Sequence, residues 1–402
     1  MPDGPSKLRG QLRQILIPLA ALCVLLPVTG AFVTRAMEGP VQLAQDSMGE
    51  APIYVMPKAG PFAPEQVAIP QSTYIAAWAR SGHSDASSIS FSYWNSAGAI
   101  PPVCAVCHSG IGFRSFHGLD GSAPDLPAAP VPVGGVVDCE TCHSPGLAAI
   151  TTIAFPSGIS HPVNTGEASC MTCHQGRAAG AAVARAADGK ADDTPDPQLA
   201  FVNPHYATAA GTMLGGYGGI GYQYPGKNYA GRFLHAKPVE TCASCHDPHS
   251  LSVAEQTCLT CHASGKAVEI RISRVSFDGS GDLKKGIRAD ISANASQLMA
   301  MIEDYAARVV GVPVLYDGSR HPYFFTDANG DGVADQADGK PVAYGAWTPR
   351  MLKAAYNWKV IDSDAGIHVH NPHYALELLY DSMEDLAGPV GVDFGGLRLT
   401  RR

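Results

Sequence analysis

Charge is scarce in this chain. Asp, Glu, Lys and Arg make up 16% of its 402 residues, against the ~25% of an ordinary globular domain. At 46% hydrophobic residues it is also too apolar for a disordered polyelectrolyte. Cations are the scarcer sign, 28 against 36 acidic residues. That balance gives no reason to expect nucleic acid or an anionic membrane surface as a partner. Long apolar runs are equally few. The single one, Ile15 to Val33, excludes a polytopic membrane protein. Uninterrupted helix is not expected either, because 43 Gly and 31 Pro punctuate the chain. What remains is a loop-rich body that something besides regular secondary structure must hold together.

The N-terminus supplies Lys7, Arg9 and Arg13, then no charge until Arg35. A basic start ahead of an apolar run is an export signal, with cleavage sites after Ala31 or Ala36. Uncharged residues 14–34 also approach the ~20 residues of a membrane-spanning anchor, although Pro18, Pro27 and Gly30 weaken that reading. Residues 1–36 are therefore expected to be a signal peptide or an N-terminal anchor. They carry four cations and one anion, so residues 37–402 carry a net −11. An acidic body suits a cationic protein partner.

Cysteine is where the chain departs from scarcity. One of the 11, Cys23, sits in the apolar run as a filler. The other ten form five copies of one pattern: Cys104-Ala-Val-Cys107-His108, Cys139-Glu-Thr-Cys142-His143, Cys170-Met-Thr-Cys173-His174, Cys242-Ala-Ser-Cys245-His246 and Cys258-Leu-Thr-Cys261-His262. This is the attachment motif of c-type haem. Two thiols on one helical turn add to the two vinyl groups of the porphyrin, and the adjacent His turns its imidazole to the iron as proximal ligand. Zinc sites do not require a His after every second Cys. A thioredoxin-like site would be one isolated pair, and a disulfide framework would not hold every Cys in one register. Five covalent haems are expected, which also places the mature protein outside the cytoplasm, in the periplasm or extracellular space.

Ten histidines remain for the second axial positions: His83, His117, His161, His205, His235, His249, His321, His368, His370 and His373. They suffice for bis-His ligation throughout. Met is the other common ligand, but Met299, Met301, Met351 and Met383 lie in amphipathic helical stretches, where packing is expected. By local context His117, His161, His321, His368 and His373 read as ordinary surface or core imidazoles. His249, three residues past a proximal ligand, suits a neighbouring haem better than its own.

Beyond the haem motifs, the segments GHSDASSISFSYWNSAG, CAVCHSGIGFRSF, CMTCHQGR, FVNPHYATAAGTMLGG, GKNYAGRFLH, CASCHDPHSLSV, HPYFFTDANGDGVAD and VHNPHYALELLYDSMEDL run in order from about Gly82 to Leu386. On these segments the chain resembles a family of exported bacterial multihaem, here pentahaem, c-type cytochromes of respiratory electron transfer. The resemblance implies that His83, His205, His235, His249 and His370 are the five distal ligands. His117, His161 and His373 depart from the family pattern.

The expected fold class is mainly α with extensive coil, a haem-centred core and few short strands. Residues 37–262 form the pentahaem region, with motif starts spaced by 35, 31, 72 and 16 residues. Within it, Ser88 to Trp94 reads as strand or loop, and an Ala-rich helix is expected through Arg185. In the Gly/Tyr-rich segment from Gly215 to Gly231, glycine would let backbone approach a flat porphyrin, with Tyr217, Tyr222 and Tyr224 packed on its edge. Residues 263–402 attach no haem and are expected to cap the region as part of one domain. They open on an alternating Val268–Ile272 strand signal. Helices are expected over Ser296 to Val310, from Thr348-Pro349 to Val360 and from Asn371-Pro372 to Leu386, the last two with an N-cap residue before Pro. His370 reads as opening the last of these.

One further motif falls in the capping region. Asp327, Asn329, Asp331, Val333 (through its carbonyl) and Asp338 fit positions 1, 3, 5, 7 and 12 of a calcium loop, with Gly332 at position 6. Asp replaces the usual Glu at position 12. A second start, Asp278-Gly-Ser280-Gly-Asp282, has Ala289 at position 12 and is weaker.

The functional expectation is a pentahaem electron carrier relaying single electrons through bis-His haems, with redox proteins as partners and no catalytic residue. A multihaem reductase is the alternative and would need an open iron site. A polymerised cytochrome filament is another; it would need self-association and a distal His donated by a neighbouring subunit.

Overall fold

A computed structural model describes residues 53–55, 68–70, 72–164 and 166–402. The export or anchor reading of residues 1–36 lies outside the described residues. Two compact units divide at Ala76 and Ala77. In the first, strands β1 (Ile53–Val55) and β2 (Ala68–Pro70) pair antiparallel, Ile53 opposite Pro70. The helix α1 (Ser72–Trp78) begins in this unit.

The second unit is mainly helical, with short two-stranded ladders and much coil. It opens with α2 (Ile89–Ser92), β3 (Ala99–Ile100), α3 (Pro102–His108), α4 (Gly110–Phe116) and β4 (Val131–Pro132). α5 (Cys139–His143), β5 (Thr152–Ala154), β6 (Ser160–Pro162) and α6 (Ala168–Cys173) follow. Then come α7 (Gly180–Ala187), α8 (Ala209–Gly218), α9 (Cys242–Cys245) and α10 (Glu255–Leu259). Four of the five Cys-x-x-Cys pairs therefore lie within one short helix, the geometry a two-thiol attachment needs; in the fifth, Cys258 is in α10 and Cys261 follows in the turn after it. Local chemistry starts these turns. Pro102 stands at the first helical position of α3. Asp138 caps α5, its Oδ1 accepting from Thr141 N and Thr141 Oγ1 at 3.0 and 2.9 Å. Thr241 and Ser244 form a capping box at α9.

Two expectations fail in this region. Ser88 to Trp94 contains α2 and not a strand: local bonds favour the turn, with Ser87 N donating to Asp85 Oδ1 just ahead of it and Ser92 Oγ to Ser88 O across it. Tyr222, expected at a porphyrin edge, does something else. Tyr222 is buried in the C-terminal core. Its N–H donates to Asn357 Oδ1 at 2.7 Å, and Asn357 Nδ2 donates back to its carbonyl at 3.0 Å. Glycine at 221 permits this docking, since a Cβ there would stand 2.5 Å from Leu378.

The C-terminal region has a core built wholly from protein. α11 (Ile287–Tyr305), α12 (Pro349–Asp362) and α14 (Pro372–Val390) pack together. They bury Leu298, Ile302, Tyr305, Met351, Tyr356, Tyr374, Leu378, Met383 and Leu386 at their centre. Among the described residues the motif-bearing region adds two small clusters, around Phe113, Met171 and Leu214 and around Ile100, Ala105 and Val131, and lends Val183, Leu199, Ile220 and Tyr222 to the large core. The large core of the C-terminal region is apolar side chains, which departs from the haem-centred expectation there. Both predicted caps are present: Thr348 accepts from Met351 N, and Asn371 from Tyr374 N. The short helix α13 (Ile367–His370) stands between them, so His370 closes a turn and does not open the last helix.

The Val268–Ile272 strand is not formed. A 3-10 turn covers Ala267–Glu269. The backbone then folds onto Gly286, where a Cβ would stand 2.1 Å from Val268 O. Arg271 fixes it there by donating to Lys285 O at 2.7 Å and to buried Asp290 at 2.5 Å. β7 (Val314–Tyr316) pairs with β8 (Phe324–Thr326), and β9 (Gln336–Ala337) with β10 (Lys340–Pro341).

Candidate functional site: five histidine pairs

Four of the five motif histidines stand opposite one of the histidines singled out in the sequence. The ring centroids of His108 and His205 are 5.9 Å apart, of His143 and His249 6.1 Å, of His174 and His83 6.4 Å, and of His246 and His370 6.2 Å. His235 sits within electrostatic reach of His262. A metal–imidazole bond of ~2 Å, added to ~1.1 Å from ring centre to Nε2, places two trans imidazoles about 6.3 Å apart across one metal ion. The four spacings cluster about that value and so fit a shared iron.

The surroundings keep several of these imidazoles neutral, the state a metal ligand needs. Burial lowers His83. Burial, then the charges of His83, His246 and His370, lowers His174 to about 4. Burial, then Arg177 and His108, lowers His205 to about 4. Burial lowers His246 and His235 too, with His370 and His262 the next contributors respectively.

Neighbouring groups orient two of the ligands. His108 Nδ1–H donates to Ser90 O at 2.7 Å, leaving Nε2 free to face His205. His370 Nδ1–H donates to both oxygens of Asp364, at 2.8 and 2.9 Å. Asp364 is buried at 5% exposure, accepts a short bond from Thr212 Oγ1, and receives Gly366 N at 3.0 Å. Gly366 lies directly beneath the His370 ring, where a Cβ would stand 2.6 Å from Cε1. His205 is held differently. Its φ of +72° is the left-handed region that non-Gly residues rarely visit, and its N–H donates to Asn203 Oδ1 at 2.9 Å. The strained turn aims the ring at His108.

The other histidines are engaged elsewhere. His117 Nε2 meets Thr172 Oγ1 at 2.9 Å. His161 is buried against Arg232, Phe155 and Tyr217. His321 packs on Tyr323 and His373 on Phe233, and burial lowers His368.

The residues present fit haem on two further counts. Apolar side chains beside the paired histidines lack protein cover: Val103 before Cys104, Leu234 before His235 and Val253 between His249 and Cys258 are about half exposed. A porphyrin face would cover such groups. The ten thiols are unoxidised, two per attachment motif. Among the described residues no three His, Cys, Asp or Glu side chains gather as a cage for a bare metal ion.

That last statement also covers Asp327, Asp331 and Asp338. The loop folds on itself: Asp327 accepts from Asp331 N and Gly332 N at 3.1 and 2.9 Å, and Asp331 from Val333 N at 2.8 Å. Asn329 Nδ2 donates to Asp331 Oδ2 at 2.9 Å. Asp338 takes φ +52° at the tip of the β9–β10 hairpin. The weaker second loop already holds a cation of its own: the Lys285 ammonium pairs with Asp278. Burial pushes the Asp278 carboxyl up, and Lys285, Ser276 and Ser280 outweigh it and hold it low.

Asp364 and Ser90 are contributors that the sequence did not mark. Asp364 lies six residues ahead of its His on a separate turn, and Ser90 reaches His108 from another helix; neither spacing is a motif.

No protein-family profile matches the chain, and no solved structure matches it. Among curated proteins, the C-type polyheme cytochrome OmcB of Geobacter sulfurreducens is 28% identical over 265 residues, in both strain DL-1/KN400 and strain PCA. The match covers 56% of this chain and 32% of OmcB. The polyheme cytochrome OmcC of strain PCA is 27% identical over 265 residues, 56% of this chain and 31% of OmcC. The chain spans about a third of the length of these relatives. Five attachment motifs and four facing histidine pairs agree with this similarity to multihaem c-type cytochromes.

Proposed function

We propose that the chain is a pentahaem electron carrier working outside the cytoplasm. The carrying observation is that four of the five motif histidines face a second histidine at a closely similar spacing. When bound, each haem supplies one reversible one-electron couple, with two imidazoles favouring a lower potential than His/Met ligation. The protein's part is positional. Ten thiols fix the rings, His83, His205, His235, His249 and His370 close the sixth positions, and the attachment turns hold neighbouring groups near one another.

A reductase would need one iron left open. Four motif histidines have an imidazole opposite them, and His235 lies within electrostatic reach of the fifth, which favours the carrier. Intact mass and spin state test this together. The reading expects five covalent haems and a wholly low-spin oxidised spectrum that nitrite leaves unchanged. A high-spin component that binds nitrite would overturn it in favour of the reductase.

We also read Asp327, Asn329, Asp331, the Val333 carbonyl and Asp338 as a calcium staple. An exported protein meets enough calcium to fill a weak loop. Redox proteins are the expected partners.

A further inference from the structure

The helix α6, which carries Cys170 and Cys173, touches three of the other four attachment segments. Towards the first, Cys107 Sγ lies 3.7 Å from Thr172 O, and Cys173 Sγ lies 4.0 Å from Val106 O. The Cys107 and Cys173 thiols are themselves hydrogen-bond neighbours. Towards the second, Ser169 Oγ donates to Thr141 O at 2.9 Å, between Cys139 and Cys142. Towards the fourth, Cys242 Sγ lies 3.9 Å from Glu167 Oε1, one residue ahead of α6, and the Cys170 and Cys242 thiols are neighbours. The fifth segment is tied to the fourth: Ala254 N donates to Cys245 O at 3.2 Å, and His246 bridges Val253.

We infer that the relay is branched, with α6 as its junction. One path leads from α6 to the first attachment segment, a second to the second, and a third through the fourth to the fifth. The inference rests on the five-haem reading above. Its physical basis is that thioether sulfurs sit on the rim of the porphyrin, so sulfurs in contact bring two rims together. The two anchors of the α6 group face different neighbours, Cys173 towards Cys107 and Cys170 towards Cys242. A straight wire has two ends; this arrangement has three. Two of them open to solvent through exposed cysteines, Cys139 and Cys142 at one and Cys261 at the other. The third lies beside Trp94, whose ring is 5.2 Å from that of His108. Each transit oxidises a donor protein by one electron and reduces an acceptor by one, and the chain returns to its starting state. Three ends let two one-electron donor proteins share one acceptor, or one donor serve two acceptors.

Three variants read this topology. His83→Met, His205→Met and His249→Met each keep a sixth ligand and raise one haem's potential, so that haem fills first. Its added electron then makes touching neighbours harder to reduce. In a titration followed by resolved haem signals, His83→Met is expected to lower three other haems. His205→Met and His249→Met are each expected to lower one, the α6 haem. A result in which His83→Met lowers only two, or His249→Met also lowers the first-motif haem, overturns the branch while leaving five low-spin haems intact. A wild-type haem count below five, or a high-spin iron, would instead fail the underlying reading. Should a Met variant not assemble, iron positions in the wild type decide: the iron facing His174 is expected to have three near neighbours, and two would contradict the branch.

Discussion

At the scale of single residues, the informative groups are those that hold a ligand still. Asp364 is a buried carboxylate bonded to His370 Nδ1. Its charge makes the imidazole a stronger donor and stabilises the oxidised iron. Asp364→Asn is expected to raise one of the five potentials and leave the haem count at five; a redox titration measures this, and an unchanged set would remove Asp364 from the account. Gly366→Ala acts on the same ligand by bulk, because its Cβ would stand 2.6 Å from the His370 ring. One haem is expected to turn high-spin, visible in the oxidised spectrum. The proximal histidines and their cysteines were legible in the sequence because covalent chemistry fixes their spacing. The distal five were picked out by family resemblance. Asp364 and Ser90 were not legible at all, since a hydrogen bond between separate turns leaves no periodic mark.

At the scale of elements, sequence signals succeeded where the cause was local. Thr348 and Asn371 were readable as caps, and both accept the expected N–H. Asn371→Ala removes the cap of α14 and the bond from its Nδ2 to Gly231 O at 3.0 Å. A loss of about 1–2 kcal/mol is expected, read as a lower midpoint in denaturant. Gly112 stands where a Cβ would meet Ala105 O at 2.3 Å. Neither backbone can yield, so Gly112→Ala is expected to cost about 1–3 kcal/mol and to part α4 from the first haem-bearing helix; a melt of the holoprotein checks it. Signals failed where tertiary contacts decide. The alternation at Val268–Ile272 has no partner strand, and Arg271 is spent on Asp290. The tyrosines after Gly219 read as a cofactor edge, yet Tyr222 is held by Asn357, 135 residues away. The Asp327 loop is a local signal still to be tested. Calcium is expected to raise the melting temperature, and Asp327→Ala with Asp331→Ala to abolish that rise.

At the scale of the whole molecule, two regions divide the work of folding. The C-terminal helices have an apolar core of their own, whereas the motif region has small clusters and half-exposed apolar groups beside its histidine pairs. The scarcity of cations also has a consequence: residues 37–402 carry a net −11. Electron exchange with a basic redox protein is expected to slow as salt is raised from low to physiological strength, measurable by stopped-flow absorbance. Electrostatic steering would be contradicted by a rate indifferent to salt.

The central claim is that five irons lie between five named histidine pairs. Iron-edge anomalous diffraction from crystals of the mature protein tests it most directly. The account predicts five iron peaks, each about 2 Å from one ring nitrogen on either side: His108 with His205, His143 with His249, His174 with His83, His246 with His370, and His262 with His235. An iron with an open side, or one held by a histidine outside these pairs, would contradict it.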